Sequence, residues 1–296
     1  MTDTENQYVY EPFAQTEEYL QVNLEIVRGW IEMIRLQAGK PVRALIDVAC
    51  GVGTMAQLFL QNLPVDWPRP SVTLVDMSHA AIEQATQRVK PQAAELDAIC
   101  GPIQNVTLPD ERYDVVLWGN GIHYLTQEEQ VEALGRLRSA IRPGGWLLFN
   151  SAFTEESRPA ETLPFYRAQI AKAVRYLQSI GVRRERQDAR PISSSFLPAD
   201  HYTAILQQVG FSVQEVRSVA ARLYQSAWEH ISGFAQYAAG ALHGYGEETA
   251  SQAMRMAVAP AIEQYGVRDH ENRPYVQRNW LAAAARVAVD AEEAPR

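Results

Sequence analysis

The sequence predicts an α/β fold, a doubly wound and mostly parallel sheet carrying helical cap insertions, and three features point to it. Short apolar, β-branched runs alternate with amphipathic stretches between residues 42 and 150, as strands do when helices connect and cover them. The first run breaks in a turn of small residues, Ala49 to Gly53, where backbone can lie close to a nucleotide. Beyond Ser151 the alternation gives way to longer helical segments rich in aromatic and small apolar residues.

Residues 1–15 are polar with Tyr8, Tyr10 and Phe13 interspersed, a segment suited either to folding over a ligand or to packing on the core. Leu20, Leu24, Val27, Ile31 and Ile34 then mark an amphipathic helix from Glu17 to Gln37, ended by Gly39 and Pro41. Val42 to Val48 reads as a buried strand, and Thr54 is the expected cap of a helix whose apolar face holds Met55, Leu58 and Phe59. A turn at Pro64 to Pro70 leads to a second strand, Ser71 to Val75, ending at Asp76, and Ser78 caps a helix to about Val89. Glu95 to Cys100 is a weaker third strand, and Tyr113 to Trp118 is a strong fourth that closes in Gly119-Asn120-Gly121.

Thr126 and Glu129 form a capping box for a helix reaching Ile141, and Arg142-Pro143-Gly144-Gly145 turns the chain into a fifth strand, Trp146 to Asn150. Helical insertions are expected at about 155–192, with the charged run Arg183 to Arg190 as a solvated end, and at about 225–268. Between them lie a helix, Asp200 to Val209, closed by Gly210, and a sixth strand, Phe211 to Val219; a last strand spans Val276 to Val289. The predicted organisation is an N-terminal helical cap segment over 1–40, a main domain over 41–290 and a polar tail over 291–296.

Composition narrows the partners. A net charge of −8 without any basic run argues against nucleic acid. Cys50 and Cys100 form no CxxC pair, which suits a reducing cytoplasm. The first residues lack a basic and then apolar leader, and no apolar run reaches membrane-spanning length, so a cytoplasmic protein with no membrane partner is expected. None of the histidines sits in an HExxH pattern, and no protein-held metal is expected.

The small-residue turn fits two ligands. As Gly51-x-Gly53-x-x-Ala56, with Asp76 further on, it matches a dinucleotide fingerprint. As Asp47-x-Ala49-x-Gly51-x-Gly53 it sets an acid inside the strand, which suits a cation and would repel a pyrophosphate.

Asp47 to Thr54, Leu74 to Ser78, Leu108 to Trp118 and Arg142 to Phe149 stand in the order and spacing of the class I S-adenosylmethionine-dependent methyltransferases, which residues 40–150 closely resemble. The resemblance continues more loosely through Ser195-Phe196-Leu197-Pro198, Val209-Gly210-Phe211 and Gln277-Arg278-Asn279-Trp280. It implies a Rossmann-like, seven-stranded sheet and S-adenosyl-L-methionine as cofactor. By the same resemblance Asp47 would hold the methionine ammonium, Ala49, Gly51 and Gly53 would let backbone lie against the cofactor, and Asp76 would accept both ribose hydroxyls. Pro102 stands where many members carry an Asp for the adenine, leaving that base to Ile103, Gln104 and Met77, while Gly119 and Asn120 would border the methyl group.

The resemblance implies a methyltransferase acting on oxygen or carbon of a small organic acceptor in specialised metabolism; the competing readings are a bound cofactor without transfer, and an NAD-dependent oxidoreductase. His123 and Tyr124 follow the fourth strand and are the candidate catalytic residues, His123 as a base and Tyr124 as a pocket wall. The structural alternative for His123 is a helix cap or a bond to a loop carbonyl. Phe165, Tyr166, Tyr176, Trp228, Phe234 and Tyr237 can line an acceptor pocket or form the seam of a helical cap. The expected partner is thus a small-molecule acceptor, with a homodimer possible.

Overall fold

The computed structural model describes residues 11–185 and 196–289, so Tyr8, Tyr10, Ser195, the charged run past residue 185 and the tail lie outside the described residues. The chain divides into two compact units: a sheet unit of residues 23–152, 197–219 and 281–296, and a helical unit of residues 1–22, 153–196 and 220–280.

In the sheet unit, β1 (Ala44–Val48), β2 (Ser71–Asp76), β3 (Glu95–Cys100), β4 (Tyr113–Gly119) and β5 (Ile141–Ser151) pair in parallel in the order β3-β2-β1-β4-β5. Beyond β5 the sheet continues through β8 (Pro274–Val287), antiparallel to it with Ser151 opposite Leu281, and ends at β6 (Phe211–Tyr224). A two-residue strand β7 (Val267–Arg268) pairs with the start of β8 and makes eight strands among the described residues where seven are predicted. The strand order reverses between β1 and β4, and an open sheet of this kind binds ligands there, beyond the carboxyl ends of its strands.

Every residue of β1 is buried, as expected for a strand covered on both faces. Ala44, Ile46 and Val48 join Val116, Trp118, Leu134, Phe149 and Tyr202 in one core. The two-residue period turns Asp47 to the opposite face. The helices of this unit include α3 (Thr54–Gln61), α4 (His79–Val89), α5 (Gln127–Ala140) and α7 (Ala199–Gln208). Ser78 caps α4 by accepting the Ala81 N–H, and Thr126 with Glu129 forms the predicted capping box of α5.

Three sequence expectations change. Thr54 does not cap α3: Gly53 holds the cap position, and the Thr54 hydroxyl accepts from Arg88 instead, tying α3 to α4. The fifth strand starts at Ile141 rather than Trp146, because Ile141 pairs with Tyr113 and the next rung joins Val115 to Trp146, so Arg142-Pro143-Gly144-Gly145 is taken up as a bulge. Asp114 explains the anchoring there, accepting the N–H groups of Arg43 and Ala44 at 2.7 and 2.8 Å and the Arg142 guanidinium at 2.7 Å. The sixth strand runs on to Tyr224, since Val219, Ala221 and Leu223 bury alternate side chains.

The predicted N-terminal helix is α2 (Glu17–Ala38), preceded by a single turn, α1 (Glu11–Ala14). In the helical unit α10 (Glu247–Tyr265) lies against α6 (Leu163–Ser179), α8 (Gln225–Ser232) and α9 (Ala235–Ala241). Fully buried Gln169 joins three of these helices, its amide donating to the Ser232 hydroxyl and the Met254 carbonyl. Among the described residues no helix is long and apolar enough to cross a membrane.

Gly51 and Gly53 both take left-handed backbone, with φ of +52° and +79°. A Cβ at 51 would meet nothing within 4 Å, whereas one at 53 would come 3.0 Å from the Ala85 Cβ and 3.1 Å from Val89. Gly53→Ala should therefore lower the unfolding free energy by roughly 2–4 kcal/mol, strain plus overpacking, and Gly51→Ala by only about 1 kcal/mol. Urea unfolding followed by circular dichroism measures both; equal losses would contradict this packing.

Candidate active site

The tips of β1 and β2 hold two carboxylates. Asp47 is fully buried. Its Oδ2 accepts the Ala56 N–H at 3.1 Å, and its Oδ1 has no hydrogen-bond partner among the described residues. Burial pushes this carboxyl up to about 8, the Ala56 bond opposes that, and the nearby charge of Asp76 adds to it. Asp76 accepts the N–H groups of Gly51 at 2.8 Å and Ser78 at 2.9 Å, and burial raises it too. Its carboxylate thus holds the small-residue turn in shape.

Within that turn Ala49 is in the left-handed region at φ +50°, a conformation that most often selects glycine. Cys50 next to it is buried, and burial together with the two carboxylates pushes its thiol well above the usual range.

The end of β4 forms the second wall. A Cβ on Gly119 would fall 2.5 Å from Met55, so only glycine fits there without moving that side chain. Asn120 is buried with φ +49°; its N–H donates to the Asn150 carbonyl and side-chain oxygen, and its own Oδ1 accepts the Ala152 N–H at 2.8 Å. The Asn120 side-chain oxygen is therefore engaged with backbone. Asn150 also donates to Asn23 at 2.6 Å.

His123 lies in a single 3₁₀ turn, Ile122–Tyr124, with 3% of its surface exposed. Its Nδ1 meets the Ser151 hydroxyl at 3.2 Å, and its ring lies 4.1 Å from that of Tyr124, centre to centre. The capping alternative fails, because Thr126 caps the next helix. Buried Gln130 braces the turn by donating to the carbonyls of Ile122 and Leu125, and His201 holds Gln130 in turn at 2.9 Å. His201 is thus a buttress, with its affinity for a proton lowered by burial.

The sheet unit brings Asp47, Ala49, Gly51, Gly53 and Asp76 together through β1, β2 and the bonds just described. Of the predicted adenine residues, two follow β3, Ile103 buried and Gln104 half-buried in the turn Ile103–Asn105, while Met77, directly after β2, is 60% exposed. Asn150, Ser151 and Gln130 escaped the sequence reading. Asn150 and Ser151 carry a visible signal, two polar residues closing an apolar strand, whereas Gln130 looks like any other residue of a polar helix face.

A buried carboxylate oxygen without a partner, over a turn whose backbone stays open, lacks a cation. The ammonium of S-adenosylmethionine supplies one, and the residues present fit that group.

Residues 45–145 match the family model described as "Methyltransferase domain". The chain is 27% identical over 114 residues to malonyl-[acyl-carrier protein] O-methyltransferase of Priestia megaterium, covering 36% of each protein. It is 27% identical over 172 residues to demethylmenaquinone methyltransferase of Chlamydia trachomatis serovar D, covering 56% of this chain and 69% of the relative. The matches therefore span about a third to two thirds of these relatives' own lengths. A solved structure from Bacillus halodurans, of a protein taken to be a methyltransferase, shares the fold with a TM-score of 0.54 at 13% identity, over 88% of this chain and 99% of that one. Motif order, strand order and the family match agree over residues 45–145, and there the chain is similar to S-adenosylmethionine-dependent methyltransferases.

Proposed function

We propose that this protein transfers a methyl group from S-adenosylmethionine to an oxygen or carbon atom of a small organic acceptor in specialised metabolism. The observation that carries the reading is the unpaired oxygen of buried Asp47. A dinucleotide would bring phosphate charge to that carboxylate, which counts against the oxidoreductase alternative. A relative named for O-methylation supports oxygen as an acceptor atom.

In this reading Asp47 pairs with the ammonium, Gly51 and Gly53 admit the cofactor to the backbone, and Asp76 takes the ribose hydroxyls while keeping Gly51 in place. Gly119 and Asn120 border the methyl group, and Ile103, Gln104 and Met77 border the adenine. When bound, S-adenosylmethionine supplies a methyl carbon activated by its sulfonium. The chain's own part is then to align the acceptor in line with it and to keep water out. An acceptor hydroxyl must also lose its proton. We assign that proton to His123, oriented by Ser151 and by the Gln130 brace, with Tyr124 as a wall of the acceptor site.

Three outcomes test the proposal. A radiolabelled methyl donor incubated with the protein and a panel of small hydroxylated acceptors should yield labelled product; cofactor binding without any transfer would favour the alternative in which the cofactor is held but not used. Because Asp47 keeps its proton below about pH 8 in the free protein, each unit below that costs a cationic ligand up to about tenfold in affinity. Affinity for S-adenosylhomocysteine, measured by calorimetry, should thus climb from about pH 6 and level off above about pH 8, and Asp47→Asn should be weaker and flat. His123→Ala should lower turnover on a hydroxyl acceptor by about 100-fold or more and leave affinity for S-adenosylhomocysteine within about twofold; unaltered turnover would return His123 to scaffolding.

A further inference from the structure

At the end of β5 one buried amide ties four elements of the sheet unit together. Asn150 is fully buried and pairs across the sheet with Gly119, the last residue of β4. Its side-chain oxygen accepts the Asn120 N–H at 3.1 Å, next to its own carbonyl, which accepts the same N–H at 3.0 Å. Its amide nitrogen donates to the side-chain oxygen of Asn23 on α2 at 2.6 Å and stands 4.0 Å from the sulfur of Met55 on α3. Asn120 answers from its side, its Oδ1 accepting the Ala152 N–H at 2.8 Å.

The orientation of this amide is fixed by its partners. A main-chain N–H can only donate, so the Asn150 atom facing Asn120 is the oxygen; the nitrogen then faces Asn23, which must present an acceptor. The sheet itself does not require the arrangement. The Asn150 carbonyl already serves the Asn120 N–H, and a leucine at 150 would extend the apolar run of Trp146 to Phe149 without burying two amides. What the second acceptor secures is the conformation of the residue after β4. Asn120 stands at φ +49°, a region that residues other than glycine occupy only when their surroundings hold them there. The same amide bears on Met55, the side chain that leaves room for nothing larger than glycine at 119. Main chain at 119 and 120 is thus set from two directions, by Met55 against Gly119 and by Asn150 against Asn120.

We propose that Asn150 is a positioning residue of the cofactor cleft, its amide clamped by Asn23 so that Gly119 and Asn120 keep the shape of the wall beside the donor's methyl group. It acts through Asn120 and Met55 rather than by contact with donor or acceptor. The inference rests on the function proposed above for the place of that methyl group. It also gives α2 a task beyond covering the sheet, because Asn23 is the residue that holds the clamp shut.

Calorimetry on the full chain with S-adenosylmethionine and S-adenosylhomocysteine tests this, since the two ligands differ only in the methyl group and the sulfonium charge that it brings. A general loosening of the fold weakens both alike, whereas a displaced wall at 119 and 120 weakens the methylated ligand more. Asn150→Leu should therefore lower the ratio of donor to product affinity by about threefold or more, the worth of one lost hydrogen bond. Asn23→Leu, which removes only the clamp, should lower it in the same direction. Asn150→Asp keeps an acceptor for the Asn120 N–H and lets the Asn23 amide turn to donate, so it should not lower the ratio. The double variant with leucine at 23 and 150 should match Asn150→Leu alone to within about twofold, because both changes break one clamp. Where Asn150→Leu loses the circular dichroism of the parent, Asn23→Leu and Asn150→Asp carry the test. Equal weakening of both ligands, a ratio lowered as much by Asn150→Asp as by leucine, or additive effects in the double variant would each overturn the proposal. A parent protein that binds neither ligand would overturn the cofactor reading and this inference with it. One that binds both but labels no acceptor would overturn transfer alone, and the ratio would still decide the role of Asn150.

Discussion

Asp47 is a carboxylate held in the middle of a sheet with half of its hydrogen-bonding capacity unmet, and the geometry around the cofactor turn follows from keeping it there. The strand that carries it is buried on both faces, so water cannot solvate the charge, and the one bond it accepts comes from the first turn of the following helix. Asp76 next to it raises the electrostatic cost further and at the same time stabilises the turn by accepting the Gly51 N–H. A protein tuned for stability alone would place a leucine or an asparagine at 47. The chain tolerates the acid because binding a cation removes the penalty, so affinity and the free protein's discomfort have the same source.

Much of this is readable from residue order. The alternation of β-branched runs and amphipathic stretches locates the first four strands to within a residue or two; β1, β2 and β4 are buried parallel strands with an apolar signature, and β3 is the weaker, largely exposed edge. The capping residues Ser78 and Thr126 declare themselves by chemistry local to one turn of helix. Where the reading fails, the deciding contact is distant in sequence. Gly53 rather than Thr54 holds the cap position, and the Thr54 hydroxyl is engaged by Arg88 on the next helix, while Arg142-Pro143-Gly144-Gly145 joins a strand because Asp114, on the neighbouring one, anchors it. No local propensity encodes either contact.

The same division holds at the site. Asp47, Gly51, Gly53 and Asp76 form a motif whose spacing is itself the geometry, and the sequence displays it. The brace behind His123 is built from α5, α7 and β5, three elements far apart along the chain, through Gln130, His201 and Ser151. A glutamine in a polar helix and a histidine at the start of another carry no mark of this shared task.

The two cysteines differ in a way that follows from the turn's architecture. Cys100 is exposed, while Cys50 is enclosed beside Asp47 and Asp76, where its sulfur stays in the unreactive thiol form. A thiol reagent applied to the folded protein therefore reaches one sulfur promptly, and the other only when the nucleotide-facing turn opens. The second, slower modification is a built-in clock for the opening of that turn.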